Sequence, residues 1–292
     1  MNLMEPMLHR NAEAASDRSI GAILIDAGRL TANSAESVIR LQKKNGMRFG
    51  DAAIKLKLLT EDDIRFALSS QFDYPYLPAS DESLSHELVA AYQPFSPVVE
   101  QLRALRSQLM LRWFDALSER KTLAIVSPGS GEGRSFIAAN LAIVFSQLGE
   151  RTLLIDADLR KPRQHQLFKL GNGAGLSGLL AGRANADAVI SVPGLIGLSV
   201  LPAGAVPPNP QELLGRPLFG DTLRTLGRDF DVVIIDTPAA SDYADAQTVA
   251  VRAGAALIVA RKDQTSLPDF TELTSRLQQS GAVLVGSVLS DL

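Results

Sequence analysis

Ser127-Pro128-Gly129-Ser130-Gly131-Glu132-Gly133-Arg134-Ser135 is the stretch on which the fold turns. Its glycines let successive backbone N–H groups turn toward one point, which is how phosphate oxygens are cradled. Thr122 to Val126 ahead of the loop reads as a buried strand, and Phe136 to Leu148 behind it reads as a helix stopped by Gly149. Strand, glycine loop and helix in that order set a helix N-terminus, with its partial positive charge, against the phosphate. The contact set for a nucleotide is therefore Gly129, Ser130, Gly131, Glu132, Gly133, Arg134, Ser135 and Phe136. Arg134 stands where such loops normally carry lysine; it keeps the charge but is a planar fork on a longer stem. Ser135 offers a hydroxyl to magnesium.

Working outward, short apolar runs alternate with helical stretches: Thr122 to Val126, Arg151 to Ile155, Leu198 to Leu201, Val232 to Ile235, Ala256 to Val259 and Val283 to Leu289. This is the pattern of an α/β fold with a parallel sheet and helices on both faces. In such sheets ligands sit at the carboxyl ends of the strands. The acidic residues fall there. Leu153-Leu-Ile-Asp156-Ala-Asp158 ends one strand with two carboxylates, and Val232-Val-Ile-Ile-Asp236-Thr-Pro238 ends another with one. Hard oxygen ligands on a rigid edge beside a phosphate loop are what magnesium–phosphate chemistry needs.

Composition narrows the rest. The 292 residues carry a net charge of −3, which gives no general drive toward nucleic acid, and none is expected as a partner. With no cysteine, disulfides, thiolate zinc sites and cysteine nucleophiles are excluded, and His9, His86 and His165 show no ligand spacing. No apolar run approaches the ~18–20 residues that span a bilayer, and a signal-peptide core is absent at the start, so a cytoplasmic protein is expected.

Residues 1–17 read as a disordered start. Between 18 and 78 an internal repeat predicts a small helical domain: Ser19-Ile-Gly21 aligns with Arg48-Phe-Gly50, Leu30-Thr31 with Leu59-Thr60, and Gln42 with Gln71, each 29 positions apart. Thr31 and Thr60 each cap a second helix, and Thr60-Glu-Asp-Asp63 has the form of a capping box. This segment resembles the N-terminal domain of type II secretion and type IV pilus assembly ATPases. In part of that family the two copies bind cyclic di-GMP, so the resemblance implies either that ligand or a docking role. The second copy keeps Arg48, Gly50 and Gln71, while the first has Ser19 in place of arginine. Residues 79–97 read as a linker, with 98–292 as the nucleotide-binding domain.

From Ser96 to Leu292 the chain resembles the cytoplasmic kinase domain of bacterial tyrosine kinases that control exopolysaccharide synthesis, relatives of the MinD/ParA class of P-loop ATPases. The motifs are Gly133-Arg134-Ser135, Leu153 to Pro162 with Asp156, Asp158 and Arg160, Ile235-Asp236-Thr-Pro238, Gly175-Leu-Ser177, Pro207 to Leu214, and Glu100-x-x-Arg103-x-x-Arg106. With the front domain, the layout is similar to the EpsG-type kinases of chain-length-determinant systems. The resemblance implies ATP and Mg2+ as cofactors and a catalytic set of Arg134, Asp156, Asp158 and Asp236. Ser135 and Asp158 would coordinate the metal with support from Asp236, Asp156 would orient or deprotonate the attacking hydroxyl, and Arg134 would stabilise the transferred phosphoryl group. It further implies self-association through Glu100, Arg103 and Arg106. A membrane polysaccharide chain-length regulator is the implied partner, holding the protein at the inner membrane.

The chain departs from that family in having Arg134 for lysine and no tyrosine-rich tail; Tyr74, Tyr76, Tyr92 and Tyr243 are its tyrosines, each expected to be packed. The function expected is an ATP-dependent tyrosine autokinase regulating exopolysaccharide polymerisation, chain length and export. The alternatives are a MinD/ParA-like ATP switch without kinase activity and, more remotely, a placement ATPase.

Overall fold

Val, Ile and Leu side chains on both faces of Thr122–Val126, Thr152–Asp156 and Val232–Asp236 leave those segments no place but the middle of a covered sheet. The computed structural model describes residues 19–71, 76–78, 80–114, 120–171 and 173–291, and divides the chain into two compact units, Met1–Pro78 and Ala79–Leu292. The expected disordered start lies outside the described residues.

The front unit consists of α1 (Ile20–Asp26), α2 (Ala32–Asn45), α3 (Phe49–Lys55) and α4 (Glu61–Gln71) around Leu24, Val38, Ala52, Ala53 and Ala67. Thr31 Oγ1 accepts from the Ser34 amide, and Thr60 and Asp63 cap one another reciprocally. The repeated glycines are packing positions: a Cβ on Gly21 would lie 3.3 Å from the Phe49 ring, and one on Gly50 would lie 3.1 Å from Ile64 Cγ2. Ser19, where the second copy has Arg48, is the N-cap of α1 and accepts from the Ala22 amide at 3.3 Å.

The second unit opens with α5 (Val89–Tyr92) and α6 (Pro97–Arg112) and continues through β1 (Thr122–Val126), α7 (Arg134–Ser146), β2 (Thr152–Asp156), α8 (Gln164–Leu167) and α9 (Leu176–Leu180). Then come β3 (Ile190–Ser191), β4 (Leu198–Leu201), α10 (Pro210–Gly215), α11 (Pro217–Asp229), β5 (Val232–Asp236), α12 (Asp245–Ala253), β6 (Ala255–Arg261), α13 (Leu267–Gln279) and β7 (Val283–Ser290). The seven strands lie in the order β3-β4-β2-β5-β1-β6-β7, all pairs parallel except the two-residue β3 against β4. Alternate residues of each central strand face opposite layers. Ala124, Val126, Leu153, Ile155, Val233 and Ile235 join one core cluster with Phe219, Val249 and Ala250 of α11 and α12, while α7 packs across β1, β2 and β5.

The segment expected as a linker instead packs on this unit. Leu84, Leu88, Ala90, Ala91 and Tyr92 are buried, the Ser85 amide donates to Leu167 O at 2.8 Å, and the Ala90 amide donates to Asn140 Oδ1 at 2.9 Å. Its prolines and serines break helical periodicity without preventing burial, and periodicity was the only signal the sequence offered there. Arg106 likewise turns inward, its Nη1 donating to Val144 O of α7 at 2.7 Å, while Glu100 stays exposed and pairs with Arg103.

Candidate nucleotide and phosphoryl-transfer site

The carboxyl ends of β1, β2 and β5 meet at one edge, because the register sets Asp156 directly opposite Asp236 and Ile125 opposite Asp236 on the other side. The glycine loop leaves β1 at that edge. Gly131 and Gly133 take φ of +76° and +94°, values at which a side chain would be strained, and Gly133 is the N-cap of α7. The end of β6 and the turn after it brace the loop: Arg261 Nη1 donates to Gly131 O at 2.9 Å and Gln264 Nε2 to Ser130 O at 2.9 Å. Glu132 is buried and turned into the loop, where it accepts from the Gly129 amide at 2.7 Å and from the Thr265 hydroxyl. Glu132 and the Gly129 amide thus serve the loop itself. Ser130 and Gly131 are exposed, and Phe136 is half-buried in the first turn of α7. A cavity of about 460 Å³ bordered by Gly129, Ser130 and Glu132 opens beside the loop.

Arg134 is folded onto the protein. Its Nε donates to Thr237 O at 2.8 Å, and its Nη1 donates to Gly129 O at 2.7 Å and to Ser127 Oγ. Only 8% of it is exposed. The fork ties the glycine loop to the residue after Asp236, a geometry that a single ammonium could not reproduce at all three acceptors.

The three carboxylates differ in kind. Asp156 has no exposed surface; Oδ1 accepts from the Asp158 amide at 3.1 Å, and Oδ2 accepts from the Arg163 and Gln164 amides at 3.0 and 2.9 Å. Burial, aided by the charge of Asp236, pushes its carboxyl well above the usual carboxylate range against the pull of those amides. Asp236 is equally buried and also raised by desolvation, while the Arg134 charge, the Ser135 hydroxyl and the Gln164 amide pull it back. Asp158 Oδ1 accepts from the Arg160 and Lys161 amides at 3.1 and 2.9 Å, which shapes the turn after β2.

Gln164 is the residue that sequence reading missed. It is fully buried, donates to Asp236 Oδ2 at 2.7 Å and reaches Ser135 O at 3.2 Å, so it couples the strand-end carboxylate to the start of α7. It lies six positions beyond Asp158, and only its burial distinguishes it from any surface glutamine. Asp236 Oδ1 and Gln164 Oε1 are both buried acceptor oxygens without a donor. Such orphans are costly unless something occupies the space. They are the hard oxygens that magnesium or its bound water takes, and the residues present fit that ion. Among the described residues no three acidic or histidine side chains form a complete metal cage. That suits an ion held by one or two protein oxygens together with phosphates.

This arrangement makes a prediction. Gln164→Leu keeps the volume but removes the donor from Asp236 and the orphan oxygen. Titration of a fluorescent ATP analogue should show Mg2+-dependent affinity lowered about tenfold, with metal-free affinity unchanged. Equal losses with and without Mg2+ would mean that Gln164 acts on the loop rather than on the metal side.

Residues 123–282 match the CobQ/CobB/MinD/ParA nucleotide binding domain. The chain is 33% identical over 214 residues to CapB of Staphylococcus aureus, covering 73% of this chain and 93% of CapB. It is 35% identical over 202 residues to the tyrosine-protein kinase Etk of Escherichia coli, which is 69% of this chain but 28% of Etk. The solved kinase domain of Etk superposes with a TM-score of 0.65 at 34% identity, over 70% of this chain and 79% of that domain. The chain thus spans under a third of the longer curated relatives and nearly all of the short one. With the phosphate loop and strand-end carboxylates on one edge of a MinD/ParA-like sheet, the chain belongs to the bacterial tyrosine kinases.

Proposed function

We propose that the chain transfers the γ-phosphoryl group of ATP to tyrosine and so regulates exopolysaccharide polymerisation, chain length and export. The observation that carries this reading is the pair of orphaned buried oxygens on Asp236 and Gln164, set beside Ser135 and a glycine loop. Mg2+ would be held from the Ser135, Asp158 and Asp236 side, where it would neutralise charge on the phosphates. Gly131 to Ser135 would position the phosphates, with Arg134 holding the loop in shape and adding positive charge. Asp156, whose two oxygens accept three backbone amides, would orient the turn that presents Asp158 rather than meet the substrate.

A membrane chain-length regulator is the proposed partner, which would place the protein peripherally at the inner membrane. Among the described residues no helix is long and apolar enough to cross a membrane. Self-association is proposed through the Glu100–Arg103 face of α6, with Arg106 anchoring that helix to α7. For the front unit the reading is a docking module, because packing accounts for Gly21 and Gly50 and capping for Ser19. Cyclic di-GMP is its alternative ligand, through the exposed Arg48.

The test is mass spectrometry of the purified chain after incubation with Mg-ATP. Phosphotyrosine should form in the wild type and fall about tenfold in Asp156→Asn, which weakens the turn that carries Asp158. One observation favours a second reading: Arg134 directs its Nε and Nη1 donors at the protein itself. In that reading ATP occupancy sets the oligomer state without transfer. ATP-dependent assembly with no phosphotyrosine at any protein concentration would establish it in place of the kinase.

A further inference from the structure

The four tyrosines are not equivalent as acceptors. Tyr92 is buried, and its hydroxyl donates to Leu84 O at 3.0 Å and accepts from the Leu84 amide at 3.2 Å, with burial pushing its pKa up. Tyr76 belongs to the front unit, where its ring stands edge-on to Phe66 at 6.3 Å. Tyr74 lies outside the described residues. Tyr243 is 41% exposed and lies in the loop between β5 and α12, beside the glycine loop.

Three observations fix that position. The loop after β5 is strapped to the glycine loop, the Ala240 amide donating to Ser127 O at 3.0 Å and the Ser241 amide to Pro128 O at 2.8 Å, so Tyr243 begins two residues from the strap. A cavity of about 240 Å³ bordered by Asp242, Tyr243 and Gln247 shares Ala240, Ser241, Leu273 and Arg276 with the larger cavity beside the glycine loop. The phenol ring lies under Arg160, whose Cζ is 3.5 Å from the ring centroid. Arg160 in turn donates through Nε to the fully buried Asp245 at 2.7 Å. A cation over the ring face holds the phenol in one orientation, in a residue that stays 41% exposed.

We propose that Tyr243 is a phosphorylation site of this chain, modified by the chain's own transfer activity; the inference rests on the kinase reading above. The phenolic oxygen forms a bond to the γ-phosphorus of ATP, the bond from that phosphorus to the β-phosphate bridging oxygen breaks, ADP leaves, and the phenolic proton passes to water. The product places a dianion next to Arg160. Phosphotyrosine then competes with Asp245 for the guanidinium and loosens the turn after β2 that Arg160 and Asp158 share. Tyr243 thereby links acceptor state to the geometry of the phosphate site.

The experiment is site-resolved phosphopeptide mapping of the full chain incubated with Mg-ATP, comparing wild type with Tyr243→Phe and Tyr74→Phe. Each protein is also assayed for labelling of a random glutamate–tyrosine copolymer. Phosphate on Tyr243 is expected in wild type and Tyr74→Phe. Total phosphotyrosine should fall at least tenfold in Tyr243→Phe, while copolymer labelling persists because phenylalanine keeps the ring under Arg160. Undiminished self-labelling in Tyr243→Phe, or phosphate mapped to Tyr74 or Tyr76 alone, overturns the assignment and leaves the kinase reading standing. No label on either the chain or the copolymer, with ATP shown to bind, overturns both.

Discussion

Arg134→Ala should lower the unfolding free energy of the nucleotide-binding unit by about 3–5 kcal/mol, the range found when one member of a buried charged network is removed. The wild-type guanidinium is buried and bonds Thr237 O, Gly129 O and Ser127 Oγ. Truncation removes the guanidinium donor from all three, leaving Gly129 O only the Ser127 hydroxyl, and strips a positive charge from beside Asp236, which burial already disfavours as an anion. For a unit of this size, roughly 2–4 °C per kcal/mol puts the melting shift near 10 °C. Nucleotide binding should be lost with it, since the bonds also hold the loop between Ser127 and Gly129. Arg134→Lys keeps the charge but cannot span three acceptors, so a loss of about 1–2 kcal/mol is expected. Thermal denaturation of the three proteins without nucleotide measures this. Wild-type stability in the alanine variant would show that the guanidinium is spare for the fold and held only for phosphate.

That behaviour could not be foreseen from the sequence, and the reason is geometric. The loop, the strand ends and their order along the chain were legible because each is a local pattern: glycines need positive φ, parallel strands need apolar residues on both faces, and a carboxylate at a strand end needs only its neighbours. The expected strands fall within a residue or two of β1, β2, β4, β5, β6 and β7, whereas the two-residue antiparallel β3 is too short to leave a pattern. What Arg134 touches depends on Thr237, 103 positions away, and what Gln164 touches depends on Asp236, 72 positions away. No spacing rule reaches across such distances. The same limit explains the region around Tyr92, where proline-broken sequence nonetheless supplies Leu84 and Leu88 to the core.

Asp236→Asn should stabilise the ligand-free protein while removing its activity, a pairing expected where a site is built for an ion at the expense of the fold. Asp156 and Asp236 are register partners on β2 and β5, both fully buried; desolvation raises both carboxyls from their ordinary value, that of Asp156 well above it. A carboxyl raised in the folded state binds its proton more tightly there than in the unfolded chain. Stability therefore falls as pH climbs from about 4, the unfolded value, through the folded one. An uncharged amide at 236 escapes that loss and lets Asp156 ionise with less repulsion, for a gain of about 1–2 kcal/mol, or roughly 3–6 °C, at neutral pH. Below pH 4 both proteins carry neutral groups here and the gap should close. Added Mg2+ with ADP should raise the melting temperature of the wild type more than that of the variant, and transfer should fall about a hundredfold if, as proposed, the ion is held from the Asp236 carboxylate. A variant less stable than wild type at pH 7 would show that the Arg134 charge and the Gln164 donor outweigh burial, and that Asp236 is held as an anion by the fold itself.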